Sequence, residues 1–510
     1  MNVNRLFSPH MVLQQKKPII IWGEGLTGET IQVILKDDKQ TTTVENGKWQ
    51  VMFPAMKAQT DLQITVTGKD NSIVIDDVAV GEVFVAGGQS NMEFFMRYDE
   101  DYAQEVEICD NPNIRYFDVP EVSYAEQEQD FDYSRMGFWR VCNKENLEFY
   151  SAVAYYCARN LQRERQVPIG IIGCNWGGTV AVSWMSDEYV KRHGQIWKDE
   201  YLEAIRDVDD EKYRENYRKN PLNGRGNLFA DEFSEVMMRG ISREQQLLWM
   251  KDAPPIEDDF FKPGPYHPNT PGILYENMVK KIIPYPVRGV LWYQGESDET
   301  HADIYKEVLS DLIDCWRENW GCQLPFFCVQ LAPFEVWLDN TGEKYPVLRQ
   351  QQQMLADEKD EVYLISSSDA GMQYDIHPKK KQPIGERLAL SIRGHLYGEK
   401  VLCEAPRGKE LTWDNDTLWI SFANAEGGLL TEGRQIEALQ LIGNKEDADA
   451  LIDPKGYTVF VNDEKIGIRF EKPMNYTTIC VKFARSPYYT VNLYNRAGIP
   501  AVPFELKIQR

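Results

Sequence analysis

A short run of β-prone residues, Val83–Ala86, stops at Gly87-Gly88, and two residues on stands Ser90, followed by Asn91, Met92 and Glu93. No other stretch constrains the fold as much. Glycines let a strand turn sharply without a Cβ clash, and Ser, Asn and Glu favour a helix start, so the pattern predicts a strand that breaks directly into a helix. Such a turn would hold the Ser90 hydroxyl at the carboxyl edge of a sheet, where open α/β proteins gather their ligands. The same residues also suit a plain helix cap, so the choice between cap and nucleophile falls to the rest of the chain.

Up to about Val80 the pattern is strand, turn, strand. Ile31, Val33 and Leu35 alternate, Asn46-Gly47 precedes Trp49, Val51 and Phe53, and Leu62, Ile64 and Val66 alternate again, which predicts a β-sandwich-type domain over 1–80. After Val83 strands alternate with long helical patterns. Strands are expected at Ile169–Ile172, Val287–Tyr293, Phe326–Leu331 and Val362–Ile365, and the stripe Tyr305, Val308, Leu309, Leu312, Ile313 and Trp316 marks one of the helices between them. That alternation implies an α/β domain over 81–400 built on a doubly wound, mostly parallel sheet. The charged stretch from Asp187 and a loop punctuated by Pro254, Pro255, Pro263, Pro265, Pro268 and Pro271 interrupt it, and 187–286 reads as an insertion that would wall one side of a cleft. Alternating strands return at Leu418, Ile420, Phe422 and at Ile479, Val481, Phe483, predicting a C-terminal β-rich domain over 401–510.

The charge balance narrows the partners. With 56 basic against 79 acidic residues the formal charge is −23, which argues against nucleic acid and anionic membranes. No apolar run approaches the roughly 20 residues that span a bilayer, and the first residues show no signal peptide, so a cytoplasmic protein or a trimmed form is expected. Nine cysteines form no CxxC pair, and HExxH, GxxxxGK and a GxGxxG with its following acidic residue are missing, so neither a metal nor a nucleotide cofactor is expected. Nothing in the sequence speaks to oligomeric state.

Each expected strand of the middle domain ends in a polar loop. The four loops are Gly88-Gln89-Ser90-Asn91-Met92, Asn175-Trp176-Gly177-Gly178-Thr179, Trp292-Tyr293-Gln294-Gly295-Glu296-Ser297-Asp298 and Asp375-Ile376-His377-Pro378. A serine hydroxyl attacks only when a neighbouring base takes its proton, and that base is usually histidine. Of six histidines, His377 alone has a carboxylate two residues before it and a proline behind, so Asp375 can fix its tautomer while Pro378 keeps it extended. Glu296 is a second candidate acid, either orienting His377 in place of Asp375 or binding substrate. Ester hydrolysis also needs donors aimed at the developing oxyanion. The backbone amides of Ser90 and of Gly177 or Gly178, with the Gln294 side-chain amide, are candidates, and Gln89, Asn91 and Trp176 lie beside them. Trp176, Trp184, Trp292 and Tyr293 would offer flat faces to a sugar, or else belong to the core. GxSxG does not occur around Ser90, because Met92 replaces the second glycine.

Taken together the four loops resemble the blocks of the SGNH hydrolases, in particular the sialate O-acetylesterase branch with its acetylxylan esterase relatives. Lys381-Gln382-Pro383-Ile384-Gly385-Glu386-Arg387-Leu388-Ala389 extends the last block, and Leu6-Phe7-Ser8, Asn492-Leu493-Tyr494-Asn495 and Pro500-Ala501-Val502-Pro503-Phe504 resemble that branch's usual start and finish. The resemblance implies a flavodoxin-like parallel sheet flanked by N- and C-terminal β-domains and a Ser90-His377-Asp375 centre without cofactor. The implied reaction is removal of acetyl groups from sugar hydroxyls, with O-acetylated sialic acid as the first substrate class and acetylated plant polysaccharide such as xylan as the alternative. A non-catalytic carbohydrate-binding protein is the rival from another class. Two features depart from the wider superfamily: Gln294 stands where an asparagine is common, and Asp375 lies two residues before His377 where three is usual. Secretion or a periplasmic location is usual for the branch.

Overall fold

The computed structural model describes residues 1–134, 136–219, 232–252, 262–433, 435–445, 448–472 and 476–509. The two proline positions 254 and 255, and part of the insertion around them, lie outside the described residues.

The organising element is one long strand, Ser72–Gly88 (β1). Its first half pairs antiparallel with Gln59–Thr67, which in turn pairs with Thr30–Leu35. Its second half runs parallel to Ile169–Asn175, with Val85 opposite Ile172. The boundary that composition suggests near Val80 therefore falls inside a continuous strand. Residues 78–88 of β1 are all buried, as expected for a strand covered on both faces.

With β2 Asn111–Asp118, β3 Trp139–Cys142, β4 Ile169–Asn175, β5 Gly289–Tyr293, β6 Phe326–Val329 and β7 Val362–Ile365, the central sheet has the order β3-β2-β4-β1-β5-β6-β7. All of these contacts are parallel except β3 on β2. The strands β1, β4, β5, β6 and β7, taken in chain order, lie in the spatial order 2-1-3-4-5, with β2 and β3 added outside β4. Parallel strands need long crossovers, and helices supply them. Ala152–Arg165, capped by the Ser151 hydroxyl on the Ala154 amide at 3.2 Å, packs on Gln382–Tyr397. A Cβ on Gly385 would lie 2.5 Å from that of Tyr156, so this helix pair meets closely only with glycine there. The expected stripe of Tyr305–Trp320 is buried, and that helix packs on Tyr345–Glu358.

One apolar cluster joins the N-terminal strands to the central sheet, from Leu6 to Ile392. A separate cluster, from Leu411 to Phe504, fills the C-terminal region between two four-stranded antiparallel sheets. The protein is thus a mixed α/β structure with a large mixed sheet and several sandwich-like sheets. Among the described residues no helix is long and apolar enough to cross a membrane.

Candidate active site

The carboxyl ends of β1, β4 and β5 clasp one another through their backbones. Gly88 has φ +137, and a Cβ there would sit 2.1 Å from the Tyr293 carbonyl oxygen, so only glycine lets the strand turn at this point. The Gln89 amide then donates to Tyr293 O at 3.1 Å, the Trp176 amide to Gly88 O at 3.1 Å, and the helix Ser90–Glu93 starts at once. Ser90 and His377, the candidate nucleophile and base, are drawn together here. His377 Nε2 lies 2.9 Å from Ser90 Oγ, although the two residues are 287 positions apart in the chain.

His377 stands in the loop between β7 and Gln382–Tyr397. Its backbone amide donates to Asp375 Oδ1 at 2.8 Å. The same oxygen is 3.7 Å from His377 Nδ1, close enough for an ion pair and too far for a hydrogen bond. Asp375 Oδ2 is occupied by Lys379 Nζ at 2.9 Å, and His377 Nδ1 has no hydrogen-bond partner among the described residues. Burial, reinforced by the positive charges of Lys379 and Lys381, pushes the imidazole well below its ordinary value. Held neutral in this way, it can accept the Ser90 proton.

Beneath this pair lies a fully buried polar layer. Lys381 Nζ donates to Asn91 Oδ1 at 2.6 Å, and Asn91 Nδ2 donates to Glu296 Oε1 at 2.6 Å and to Ile376 O at 3.0 Å. Asn91 therefore binds the serine turn to the histidine loop rather than facing the cavity. Burial lowers the Lys381 ammonium to about 7 and raises the Glu296 carboxyl. Gln89 ties the serine turn to the third loop, its Oε1 accepting from the Gly295 amide at 3.2 Å and from the Ser297 amide at 3.3 Å. Glu296 makes no hydrogen bond to His377, and its Oε2 is without a partner among the described residues.

The expected oxyanion donors divide. The Gly177 amide is spent on Glu93 Oε2 at 2.6 Å. The Gln294 amide, expected to aim at the substrate, instead donates to Thr179 O at 3.0 Å and to the Asp298 carboxylate, while its oxygen accepts from Tyr305. Gln294 does not line the cavity: its amide ties the second loop to the third and its oxygen ties them to the helix Tyr305–Trp320. Ser90 and Gly178 keep backbone amides without an acceptor among the described residues, and Gly178, at φ +73, opens onto the cavity.

The cavity measures about 290 Å³. Its lining includes the polar or small residues Ser90, His377, Gln89, Glu93, Gly178 and Glu296 and the aromatics Trp176, Phe94, Phe95, Tyr98 and Trp337. Of the four aromatics expected to face a sugar, Trp176 lines the cavity. Trp184, Trp292 and Tyr293 are sealed in the core, with Trp292 edge-on to both Trp184 and Trp316. Sequence reasoning missed Trp337, whose ring meets His377 edge-on at 5.3 Å. The signal was present, because two aromatics, Phe334 and Trp337, follow the end of β6, where ligand loops belong. The insertion reaches the cavity through Met238. Among the described residues no cluster of three or more His, Cys, Asp or Glu side chains could hold a metal ion.

Residues 258–393 match the family model for carbohydrate esterase, sialic acid-specific acetylesterase, a span that contains Glu296, Asp375 and His377 and begins after Ser90. The chain is 25% identical to the sialate O-acetylesterase of Rattus norvegicus over 455 residues, covering 81% of this chain and 77% of that protein. It is likewise 25% identical to the sialate O-acetylesterase of Homo sapiens over 431 residues, covering 77% and 70%. In three dimensions it superposes on the crystal structure of a carbohydrate acetylesterase from Xanthomonas citri with a TM-score of 0.73 over 99% of both chains, at 24% identity, which shows a shared fold. The chain is therefore a hydrolase of the carbohydrate esterase class. More particularly, its matched segment is similar to the sialic acid-specific acetylesterases, and over most of its length it is similar to the sialate O-acetylesterases.

Proposed function

We propose that the protein is a carbohydrate O-acetylesterase that works through an acetyl-enzyme on Ser90, and that O-acetylated sialic acid is its first substrate class. The observation that carries the reading is the 2.9 Å contact between Ser90 Oγ and a buried, neutral His377 inside a walled cavity. The family match and the sialate O-acetylesterase relatives support the substrate class. The 2-1-3-4-5 order of the main parallel strands is that of flavodoxin-like sheets, and Ser90 sits where the strand order reverses, which supports an SGNH-type catalytic domain over 81–400 between two β-rich regions.

In the proposed reaction Ser90 Oγ attacks the acetyl carbonyl as His377 Nε2 takes its proton. The charge that develops on the carbonyl oxygen is met by the Ser90 and Gly178 amides. The histidine returns the proton to the departing sugar oxygen, the ester bond breaks, and acetyl remains on the serine. Water then adds to the acetyl-enzyme, giving its proton to His377, and the serine leaves with that proton as acetate is released. Asp375 steadies the imidazolium through charge at 3.7 Å and fixes the histidine backbone.

Replacing Ser90 by alanine tests the assignment. Hydrolysis of any acetyl ester should fall by roughly 10³-fold or more, with thermal unfolding unchanged. Persistent turnover, or failure of a serine-directed fluorophosphonate to label the wild-type protein, would favour the non-catalytic carbohydrate-binding alternative. A second reading, an acetylesterase of neutral polysaccharide such as acetylated xylan, draws on one observation. Among the described residues the cavity is lined by Glu93 and Glu296 and by no lysine or arginine to meet a sialate carboxylate. Acetate release from O-acetylated sialic acid and from acetylated xylan, measured side by side, decides between them.

A further inference from the structure

The helix Arg243–Asp252, within the insertion, is built the wrong way round for an ordinary surface helix. Leu247, Leu248, Trp249 and Met250 are exposed, whereas among its described positions only Gln246 is buried, at 0% exposure. Burying an amide is costly unless its bonds are met, and here they are met by two loops at the cavity. Gln246 Nε2 donates to Tyr374 O at 2.7 Å, three residues before His377. Its Oε1 accepts from the Leu338 amide at 3.0 Å, one residue after Trp337. Arg243 Nη1 closes the latch, donating to Leu338 O at 2.9 Å and to Gln246 Oε1 at 3.0 Å. Leu338 itself has φ +52, a backbone setting that needs outside support in a residue of this kind.

What the latch holds is the two-stranded ribbon Val336–Trp337 and Asn340–Thr341, whose Trp337 and Asn340 line the cavity. Trp337 differs from the structural tryptophans of the chain. Trp139, Trp184, Trp316 and Trp320 each donate the indole N–H to a protein oxygen. Trp337 Nε1 has no partner among the described residues, while its ring is half-buried against His377. Trp292 also lacks one, but it is sealed in the core. A flat ring that lines the cavity edge-on to His377 suits the apolar face of a pyranose, and its buried indole N–H is spent on no protein acceptor among the described residues.

We infer that Trp337, held in place by Gln246, is the specificity-determining wall that takes the sugar ring of the acetylated substrate. The inference rests on the esterase reading above. The insertion then has a role in recognition that is separate from the chemistry at Ser90.

The test compares kcat/KM for an acetylated sugar with that for 4-nitrophenyl acetate, which has no pyranose ring, at about pH 8, where a histidine is neutral. In Trp337→Ala the ratio of sugar ester to small ester should fall roughly 10- to 100-fold, mostly through KM. Gln246→Leu should shift the ratio the same way by about threefold to tenfold, the scale of a lost pair of hydrogen bonds, and Trp337→Phe should recover most of it. Because Gln246 acts through Trp337, the double variant should be no worse than Trp337→Ala. A parallel fall on both substrates, or an unchanged ratio in Trp337→Ala, overturns the assignment. Wild-type enzyme that hydrolyses the small ester and no acetylated sugar refutes the sugar reading itself, and the wall falls with it.

Discussion

Both the carboxyl edge of the central sheet and the C-terminal β region bury polar side chains, and they finish them differently. In the C-terminal region the buried polar residues among those described are Thr417, Asn492 and Asn495. Asn495 Nδ2 donates to Glu404 O and Asn424 O, and its Oδ1 accepts from the Ala497 and Ile499 amides, so every valence is closed by backbone. Asn492 does the same for Glu432, Gln435 and Glu437. At the sheet edge the buried polar residues are more numerous, several are charged, and valences stay open at His377 Nδ1, Glu296 Oε2 and Trp337 Nε1. Buried polar groups are nearly always satisfied in native proteins, so an open valence asks for an explanation. Closed polar burial shapes a loop; open polar burial beside the cavity, unlike that of Trp292 sealed in the core, leaves valences for a ligand.

The largest effect that would break this contrast is at His377. If its valence is open for chemistry, His377→Ala should lower kcat on any acetyl ester by roughly 10³- to 10⁵-fold while leaving the unfolding temperature nearly unchanged. Turnover within tenfold of wild type would end the functional reading of the sheet edge. Next come the two carboxylates. Asp375→Asn removes the charge between Lys379 and the imidazole and should lower kcat by about 10- to 10³-fold. Glu296→Gln keeps an oxygen for Asn91 and should cost less than about tenfold on a small ester. The reverse ranking in steady-state kinetics would hand the orienting role to Glu296.

A stability measurement sharpens the other half of the comparison. Asn495→Ala leaves two carbonyls and two amides of the C-terminal region unmet, and should destabilise the protein by about 1–3 kcal/mol in denaturant unfolding. Its kcat/KM, measured while the protein is folded, should match wild type. A loss of activity without a loss of stability would show that the two regions are not separable.

The same contrast explains what could be read from the chain alone. Periodicity located β1, β4, β5, β6, β7 and the Tyr305–Trp320 stripe because burial writes itself into residue spacing, and it missed β2 and β3 at the sheet edge. The serine turn was legible because Gly88 is forced by the approach of Tyr293 O, and His377 because few histidines compete. Hydrogen-bond partners were not legible. That Gln294 spends its amide on Thr179 and Asp298, and Gly177 its N–H on Glu93, depends on how three loops meet, and no local pattern records it. Trp337 and Gln246 escaped for a related reason: one lies on a two-residue strand, the other on a helix whose exposed face is the apolar one. In the sequence Lys379-Lys380-Lys381 looks like a solvated charge run, yet only Lys380 is exposed.

The smallest expected effect concerns that lysine and the pH at which the esterase works. His377 faces Lys379, Lys381 and Asp375 on its own loop, with Ser90, Glu93 and Glu296 from the strand ends opposite. Burial first, and then the two ammonium groups, favour its neutral form, so its folded value lies below the ordinary one of about 6.5. Protonation removes the base, and it now happens only at lower pH, so kcat/KM on a neutral acetyl ester should hold its plateau down through about pH 6. Lys381→Met takes away one of the two cations. The histidine should then protonate more easily, the acid limb should move to higher pH, and the rate at about pH 5 should fall roughly twofold to tenfold against the rate at about pH 8. A uniform loss at every pH would mean that Lys381 serves only to hold Asn91, as a closed polar contact of the kind seen around Asn495. A limb that shifts while the plateau survives would place it with the open, functional set.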